Sequence, residues 1–381
     1  MSPAPLQLTL MVGRILAAPA PAALTAALRR AEVTTTDSGP SGFQLQFQVT
    51  RNSNTSDYDL LSQSQLAPFN RIVLVATLNS VPTVVIDGLI TRVEFLPRQG
   101  TQPDMLSVTG EDVSVAMDLQ QKTLPYPAMN DMEIAAFILM QYLEFGLVPL
   151  ILPTPVSLSM LPVDYVTQQA GMTDREFLSM LASRNGFVFQ ILPGPAPLTN
   201  TAYFGPPRRL GIPQPALTLN ELPASTVSSM RFSYDAMAPT TVTGLVQDTL
   251  ETDADIPVVA LLPLRVPPLA ALPAIMVNAP YIRETLLNPV GMDPLQAEAV
   301  AQGMVDRSTD QVLTATGELD VLRYGSLLSA AGLVGVRGAG LSHDGLYYVQ
   351  QVTHQITPDS YTQQFTLTRE GWGSTVPTVM P

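Results

Sequence analysis

The sequence predicts a mainly β, α+β fold in which two barrel-like antiparallel β domains flank a small α+β module. Segments that alternate apolar and polar residues occur towards both ends of the chain, and capped helical segments occur in its middle. The 35 prolines and 24 glycines of the 381 residues punctuate the apolar runs, which is typical of a β-rich protein with many turns. We expect a first β-barrel-like domain at 1–119, an α+β middle module at 120–223, and a second β-barrel-like domain with an inserted helix and a C-terminal tail at 224–381.

The first part is predicted to consist of short strands. Its clearest strand is the segment 43–49, where Phe43, Leu45, Phe47 and Val49 alternate with three glutamines. We interpret Asp87 with Gly88 as a turn or a kink. The other expected strands are 6–10, 72–78, 84–93 and 106–115, and a polar loop is expected at 51–59. Five or more such strands favour an antiparallel barrel or sandwich.

The first helix of the middle module is predicted at 130–143. Asn130 is a favourable N-cap, and Glu133 stands three residues later, as a capping box requires. The segment is strongly apolar on one side, and Gly146 is expected to end it. A proline-rich connector then leads to the second helix.

The second helix of the module lies in the stretch 165–190, which is predicted to be a strand–turn–helix–strand unit and gives one of the clearest local signals in the chain. Thr173 and Glu176 form the capping box, and Phe177, Met180 and Leu181 recur at helical spacing. Gly186 stops the helix, because glycine adopts the left-handed conformation without strain. Apolar residues then alternate with Val188 and Gln190, which predicts a strand at 187–191.

The third part again shows strand patterns. Met230, Phe232 and Tyr234 alternate with polar residues, and strands are also expected at 241–246, 346–352 and 361–368. A helix is predicted from Asp293, with Pro294 at its first position, where proline is well tolerated. No repeat of 20–50 residues occurs, so the chain is not a solenoid, whereas two related β barrels fit the pattern.

The composition excludes several classes of function. With a net charge of −13 and Lys122 as the only lysine, the chain is expected to repel phosphate backbones, so we predict no specific nucleic-acid binding. The absence of cysteine excludes disulfides, thiolate chemistry and cysteine metal sites. Neither a secretory signal nor a membrane segment is predicted, because prolines interrupt the most apolar long stretch, 256–277. We expect a protein made and assembled in a bacterial cytoplasm.

The two histidines and one glycine cluster do not indicate chemistry. His343 and His354 lack the spacing of a metal site, and no nucleophile-elbow motif accompanies them. We interpret His354 as a strand histidine that faces solvent or a polar neighbour, with a general base as the alternative. The glycines Gly335, Gly338 and Gly340 are interpreted as turn residues, since a phosphate loop needs a following lysine.

The carboxylates allow two weak alternatives. Glu251, Asp253 and Asp255 are interpreted as a solvated loop, with calcium binding as the alternative. Glu111 and Asp112 are adjacent, so on a strand they face opposite sides and do not form an acid–base pair. Trp372, the only tryptophan, is expected to anchor packing or an interface. We therefore predict no catalytic, cofactor-binding or metal-binding residues, and no enzyme.

Five stretches together resemble a known family. They are IDGLITRVEF at 86–95, LSVTGEDVSVAMDL at 106–119, MNDMEIAAFILMQYLEFGL at 129–147, QQAGMTDREFLSMLASRNGFVFQ at 168–190, and GLYYVQQVTHQITPDSYTQQFTLTRE at 345–370. In this order they resemble the central hub proteins of contractile-tail baseplates, the phage late-control gene D protein family. The hub part of type VI secretion spike proteins is similar. Because the chain stops soon after Arg369, we expect the spike to be a separate polypeptide.

The resemblance implies a structural role. It implies a homotrimer in which each subunit contributes two barrel-like domains, so that six related barrels surround a channel. Such a hub joins a sixfold tail tube above to a threefold central spike below and contacts other baseplate proteins, while DNA or protein cargo passes through. We expect an acidic lining, which would repel a DNA duplex over roughly 8–10 Å. The protein would be part of a virion or of a phage-tail-like particle.

Two segments are candidates for assembly, and two other functions compete with the hub. The strand at 43–49 is expected to continue a sheet across subunits. The proline-rich segment 261–273 lies either over a neighbour or on its own domain. The first rival is a glycan- or peptidoglycan-acting hydrolase that uses Glu111, Asp112 and the acidic loop. The second is a β-rich adhesin that binds glycans.

Overall fold

The computed structural model describes residues 6–51, 58, 60, 64–97, 103–154, 166–220, 225–247, 255–288, 292 and 294–376. It confirms the predicted fold class, because the protein is mainly β, with large antiparallel sheets and a smaller share of helix. Among these residues, no strand pairing closes a sheet into a barrel. No helix in the described part of the chain is long and apolar enough to cross a membrane.

The first part contains seven strands, and their side chains alternate as predicted. In the strand at Gly42–Val49 the four apolar residues are buried, whereas the glutamines between them are partly or fully exposed. Most of the polar loop predicted at 51–59 lies outside the described residues. The elements are β1 (Gln7–Gly13), β2 (Ala18–Pro19), α1 (Ala22–Ala27), β3 (Leu28–Thr36), β4 (Gly42–Val49), β5 (Arg71–Leu78), β6 (Val81–Leu96) and β7 (Asp104–Asp112).

Of the two alternatives for Asp87 with Gly88, a turn or a kink, the turn is wrong. Both residues lie inside the continuous 16-residue strand β6, and the hairpin turn is formed by Asn79 and Ser80. These two residues have φ angles of 52° and 65°, as a tight turn between twisted strands requires. Gly88 instead allows close pairing, because a Cβ there would lie 2.0 Å from the carbonyl oxygen of Glu111. Strand β7 ends at Asp112, and a 3-10 helix at Val113–Asp118 follows.

The middle part confirms both capping boxes. Asn130 with Glu133, and Thr173 with Glu176, each exchange side-chain to backbone hydrogen bonds. The first helix ends earlier than predicted and continues as a 3-10 helix at Met140–Phe145. The elements are β8 (Gln121–Pro127), α2 (Asp131–Leu139), β9 (Leu147–Ile151), β10 (Val166–Thr173), α3 (Asp174–Arg184), β11 (Val188–Pro193), β12 (Asn200–Gly205) and β13 (Gln214–Thr218).

The third part is richer in elements than the sequence pattern indicates. Its long helix begins at Pro294, as predicted. The elements are β14 (Val227–Tyr234), β15 (Thr240–Gln247), β16 (Asp255–Ala260), β17 (Ala270–Pro273), α4 (Ala274–Val277), β18 (Arg283–Leu287), α5 (Pro294–Asp310), β19 (Leu313–Asp320), α6 (Val321–Tyr324), β20 (Gly332–Arg337), β21 (Gly345–Ile356), β22 (Tyr361–Arg369) and β23 (Gly371–Ser374).

Two six-stranded units with the same topology form the largest sheet. The first unit has the neighbour order β3-β4-β7-β6-β5-β1, and the second has the order β14-β19-β22-β21-β20-β13. When the six strands of each unit are numbered in chain order, their order across the sheet is 2-3-6-5-4-1 in both units. One difference is that β1 pairs antiparallel with β5, whereas β13 pairs parallel with β20. Strands β3 and β21 pair with each other, so the two units share one continuous sheet and one hydrophobic core.

Two smaller modules are inserted into this scaffold. The first inserted module places the sheet β11-β12-β9 against α2 and α3, and the second places the sheet β16-β15-β18 against α5. Each three-stranded sheet has one antiparallel and one parallel pair. Helices α3 and α5 meet at a backbone contact, because a Cβ on Gly303 would lie 2.6 Å from the nitrogen of Gly186. The two modules therefore touch beside the large sheet.

Strand β4 is not an edge strand, so its predicted role in extending a sheet across subunits is wrong. It lies inside the large sheet and pairs with β3 on one side and with β7 on the other. Its regular alternation reflects burial of one face within its own chain. Among the described strands, β14 has a single partner, β19, and therefore ends the sheet.

Candidate functional site

The adjacent carboxylates of the first part have structural partners. Glu111 forms an ion pair with Arg175 at 2.6 Å. Asp112 is buried and accepts hydrogen bonds from the backbone nitrogens of Ser41, at 2.6 Å, and Ser114, at 2.9 Å. Burial raises the pKa of Asp112, which the hydrogen bonds partly counter. The two carboxylates thus connect separate segments of the chain.

The acidic loop is only partly described. Glu251 and Asp253 lie outside the described residues, and Asp255 begins β16 with an exposed side chain. Within the described ranges, no group of three metal-ligating side chains is assembled.

Both histidines pack against aromatic residues. His354 is buried, and its Nδ1 lies 2.7 Å from the Tyr361 hydroxyl and 3.2 Å from Nε2 of Gln363. Burial lowers the pKa of His354 to about 3, so the ring is neutral at physiological pH. The expected polar neighbours are present, whereas exposure to solvent is excluded. The ring of His343 packs against Phe232 and Trp372.

The glycine cluster and the tryptophan also have structural places. Gly338 and Gly340 adopt positive φ angles of 85° and 89° after strand β20, as turn glycines do. Gly335 lies within β20, so its assignment to a turn is wrong. Trp372 stacks on Tyr234 with 4.6 Å between ring centroids, which fits the predicted packing anchor.

A buried ion pair connects the first unit to the middle part, and sequence reasoning missed it. Arg71 and Asp87 are almost fully buried and bond through both oxygens, at 2.6 and 2.8 Å. Arg71 also donates to the carbonyl oxygens of Phe145, at 2.9 Å, and Ile15, at 3.3 Å. A signal was available, since each charge stands beside an apolar run, in RIVLVATL and VVIDGL. Charges on buried strands need partners.

A second buried network fixes the second inserted module. Arg209 bonds to Glu370 at 2.9 Å and to Asp310 at 2.7 Å, and Arg265 bonds to Asp310 at 2.8 Å. Glu370 also accepts a 3.0 Å hydrogen bond from the backbone nitrogen of Ala270. The network explains the course of the proline-rich segment 261–273, which crosses its own domain and ends in β17, paired with β23. The alternative of packing on its own domain is supported.

A cavity of about 350 Å³ lies between the inserted modules and the large sheet. Arg209, Arg265, Arg307, Asp37 and Tyr348 are among its lining residues. Burial raises the pKa of Asp37 to about 6, and the Tyr348 hydroxyl partly opposes this rise. Burial, together with Arg265, lowers the pKa of Arg307. Positive and negative groups thus alternate around the cavity.

One face of the large sheet is polar, and we call it the polar face. Its charged side chains have both signs, because Arg30, Arg92, Glu94 and Arg231 lie directly opposite members of this face. Its side chains alternate with those of the core, and some bond across strands, as Thr34 does to Thr353 at 3.0 Å and Gln44 to Ser107 at 3.0 Å. The polar face runs through both six-stranded units. Its members include Glu32, Thr34, Gln44, Gln46, Ser107, Thr109, Thr316, Glu318, Thr353, Gln355, Gln364 and Thr366.

This fold is found among phage tail proteins and type VI secretion components. The tail protein from Neisseria meningitidis MC58 is similar with a TM-score of 0.62 and 15% identity, and the comparison covers 95% of this chain and 97% of that one. The 43 kDa tail protein of prophage MuSo2 from Shewanella oneidensis has a TM-score of 0.61 and 13% identity, over 95% and 98% of the two chains.

A third similar structure comes from a secretion machine. It is an Escherichia coli protein that is a component of the type VI secretion system, with a TM-score of 0.53 and 14% identity, over 93% of this chain and 77% of that one. No protein-family model matches the sequence, and no curated protein matches it significantly. The comparisons therefore confirm the fold implied by the sequence resemblance.

Proposed function

We propose that this protein is the structural central hub of a contractile tail or injection-machine baseplate, and that it acts as a homotrimeric adaptor rather than as an enzyme. In this role it joins a sixfold tail tube on one side to a threefold central spike on the other. The particle assembles in a bacterial host cytoplasm, and other baseplate proteins contact the hub. The chain is divided into a first β domain at 1–119, a middle module at 120–223 and a second β domain at 224–381. Strand β13 of the middle module completes the second six-stranded unit.

The observation that carries this proposal is the duplicated six-stranded unit, in a fold shared with tail proteins over nearly the whole chain. A chain with two related units gives six units when three copies assemble. A trimer of this protein is thus compatible with a sixfold tube and with a threefold spike at the same time. A monomeric adhesin or hydrolase does not require the duplication.

The polar face supports a role as a channel wall. A wall of threonine, serine and glutamine, with charged side chains of both signs among them, presents hydrogen-bonding groups to a passing cargo. This proposal replaces the acidic lining expected from the net charge of −13. A wall whose positive and negative charges are interspersed does not hold DNA strongly, because strong attraction to a polyanion requires clustered positive charge.

The first test is the mass of the purified chain in solution. Light scattering at several concentrations, alone and with the candidate spike protein, should give a species near three times 40.9 kDa. A chain that stays monomeric under every condition would contradict the adaptor and favour the adhesin or hydrolase. Glycan binding and peptidoglycan release, measured on the same sample, then separate those two rivals.

A further inference from the structure

The joint between the two units inside one chain is a well-defined strand pair. Strand β3 pairs antiparallel with the second half of β21, and the register places Thr34 opposite Thr353 and Val33 opposite His354. The core-facing residues on both sides of this joint are buried, namely Val33, Thr35, Val352 and His354. The joint thus completes the core as well as the sheet.

Each strand of the joint has a counterpart in the other unit. By position in the topology, β14 corresponds to β3, and β6 corresponds to β21. The bulges agree with this correspondence. Strand β3 has a register shift at Arg29, and its counterpart β14 has one at Ser228. In the same way, β6 has a register shift at Thr91, and its counterpart β21 has one at Gln350. The correspondence therefore extends to the positions of the bulges that set the register of these four strands.

The counterpart strands have free edges. In the part of the chain that the structure describes, β14 pairs only with β19, and β5 pairs with β6 no further than Leu89. The core-facing residues of these strands, Val93 and Phe95 on β6 with Phe232 and Tyr234 on β14, are only half-buried. Their counterparts at the internal joint, Val352, His354, Val33 and Thr35, are buried. The lack of a neighbouring strand among the described residues accounts for the lower burial on β6 and β14.

We propose that β14 of one copy pairs with residues 92–96 of β6 in the next copy, in the register of the internal joint. The proposal rests on the hub function above and names the contact that holds its subunits together. Transferring the internal register places Val93 opposite Tyr234, Glu94 opposite Ser233 and Phe95 opposite Phe232. Unpaired strand edges accept such partners because their backbone groups are already aligned.

The charges at the two edges complement each other in this register. Arg92 comes to lie opposite Asp235, and Glu94 lies diagonally across from Arg231, on the solvent side of the sheet. In the single chain, Arg92 and Glu94 contact each other, and both are substantially exposed. Oppositely charged cross-strand pairs favour one register, and like charges disfavour the others. On the core side, Phe95 meets Phe232, which covers both half-buried rings.

The contact is heterologous, because two different edges meet. A heterologous contact builds a ring when the rotation closes. Each copy would contribute one internal joint and one joint to its neighbour, so three copies give six joints around one continuous sheet. The two kinds of joint would be nearly equivalent.

Cysteine cross-linking tests the register directly, because the natural chain has no cysteine. The double variant Glu94→Cys with Ser233→Cys should form disulfides between copies under mild oxidation. Directly opposed residues of an antiparallel pair have Cβ atoms about 4.5–5.5 Å apart, which is close to disulfide geometry. We expect covalent species of two and three chains, and none larger, on non-reducing gels.

Two matched variants serve as controls. Thr34→Cys with Thr353→Cys reproduces the internal joint and should lose its free thiols without linking copies. Glu94→Cys with Ser229→Cys moves one cysteine four residues along β14, about 13 Å away, and should leave copies unlinked.

The possible outcomes separate this proposal from the function on which it rests. A trimer in light scattering whose Glu94→Cys, Ser233→Cys variant does not cross-link, although the internal pair closes, would overturn the joint and leave the hub intact. Equal cross-linking by the pair that contains Ser229→Cys would overturn the register. A chain that stays monomeric with and without the spike protein, and forms no links, would overturn both proposals.

Discussion

The two inserted modules share a plan but differ in how they are held. The first inserted module has an aromatic core, in which Tyr126 stacks on Phe177 with 5.7 Å between ring centroids. The buried core of the second is made of small side chains such as Val242, Val258 and Ala301. Small side chains bury less apolar area, so packing contributes less to this module. Buried charges and the contact with α3 supply the remaining support.

Both modules expose large apolar side chains on their outer surfaces. The outer face of the second module's sheet leaves Leu245, Val259 and Leu286 mostly exposed. Its inner face and α5 are attached to the scaffold through Arg265, Asp306 and Asp310. The comparison indicates that the first module is stabilised by its own core, whereas the second depends on its surroundings.

The largest expected effect is on the core of the first module. Phe177→Ala removes a fully buried ring and should lower the free energy of unfolding by about 3–5 kcal/mol. Val258→Ala, in the second module, removes less buried area and should cost only about 1–2 kcal/mol. Urea unfolding of both variants measures the difference. Equal losses would contradict the difference between the cores.

The second effect concerns the buried charges. Arg265→Met leaves Asp306 and Asp310 without one of their cations, and should cost about 3 kcal/mol. Hydrogen exchange should show a loss of amide protection first in α5 and β15. The control is Arg30→Met, which removes an exposed ion pair with Glu32 and should cost at most about 1 kcal/mol. Similar losses of amide protection in α2 and α5 would show that the charges around Arg265 do not stabilise the second module specifically.

The third effect tests the contact between the modules. Gly303→Ala places a Cβ 2.6 Å from the nitrogen and 2.9 Å from the Cα of Gly186, so overpacking should cost about 1–3 kcal/mol. Without the contact, alanine would stabilise the helix by about 1 kcal/mol. A lower melting temperature of Gly303→Ala would therefore support the close contact, and a higher melting temperature would contradict it. Gly39→Ala is the matched control, because a Cβ at that position meets nothing within 4 Å.

The last effect appears only above pH 4. The pKa of Asp37 is raised from 3.8 to about 6 in the folded protein, so the folded state binds the proton more tightly than the unfolded chain does. Stability from this group is present below pH 4 and is lost as pH rises to 6. Asp37→Asn should therefore raise the free energy of unfolding by at most about 3 kcal/mol at pH 7, with little change at pH 4. A gain that is equal at both pH values would contradict the raised pKa.

Local signals in the sequence determined the elements of this protein. The alternation in β4, the capping boxes of α2 and α3, and the proline at the start of α5 each depend on contacts within a few residues. They determined the fold class and the three longest of the six described α-helices, namely α2, α3 and α5. The missed elements of the second inserted module, β16 and β18, lie in a proline-rich region whose pattern is ambiguous.

Only the tertiary structure decided how the elements join. Strands β3 and β21 are more than 300 residues apart, and nothing local specifies that they pair. The burial of Arg71 with Asp87, and of Arg209 with Glu370, likewise depends on segments that meet only after folding. The same limit explains why β4 resembled an edge strand, because alternation reports which face is buried and not whether a neighbour lies beside the strand. Among the described residues, the unpaired edges of β6 and β14 follow from the duplicated topology and not from any local pattern.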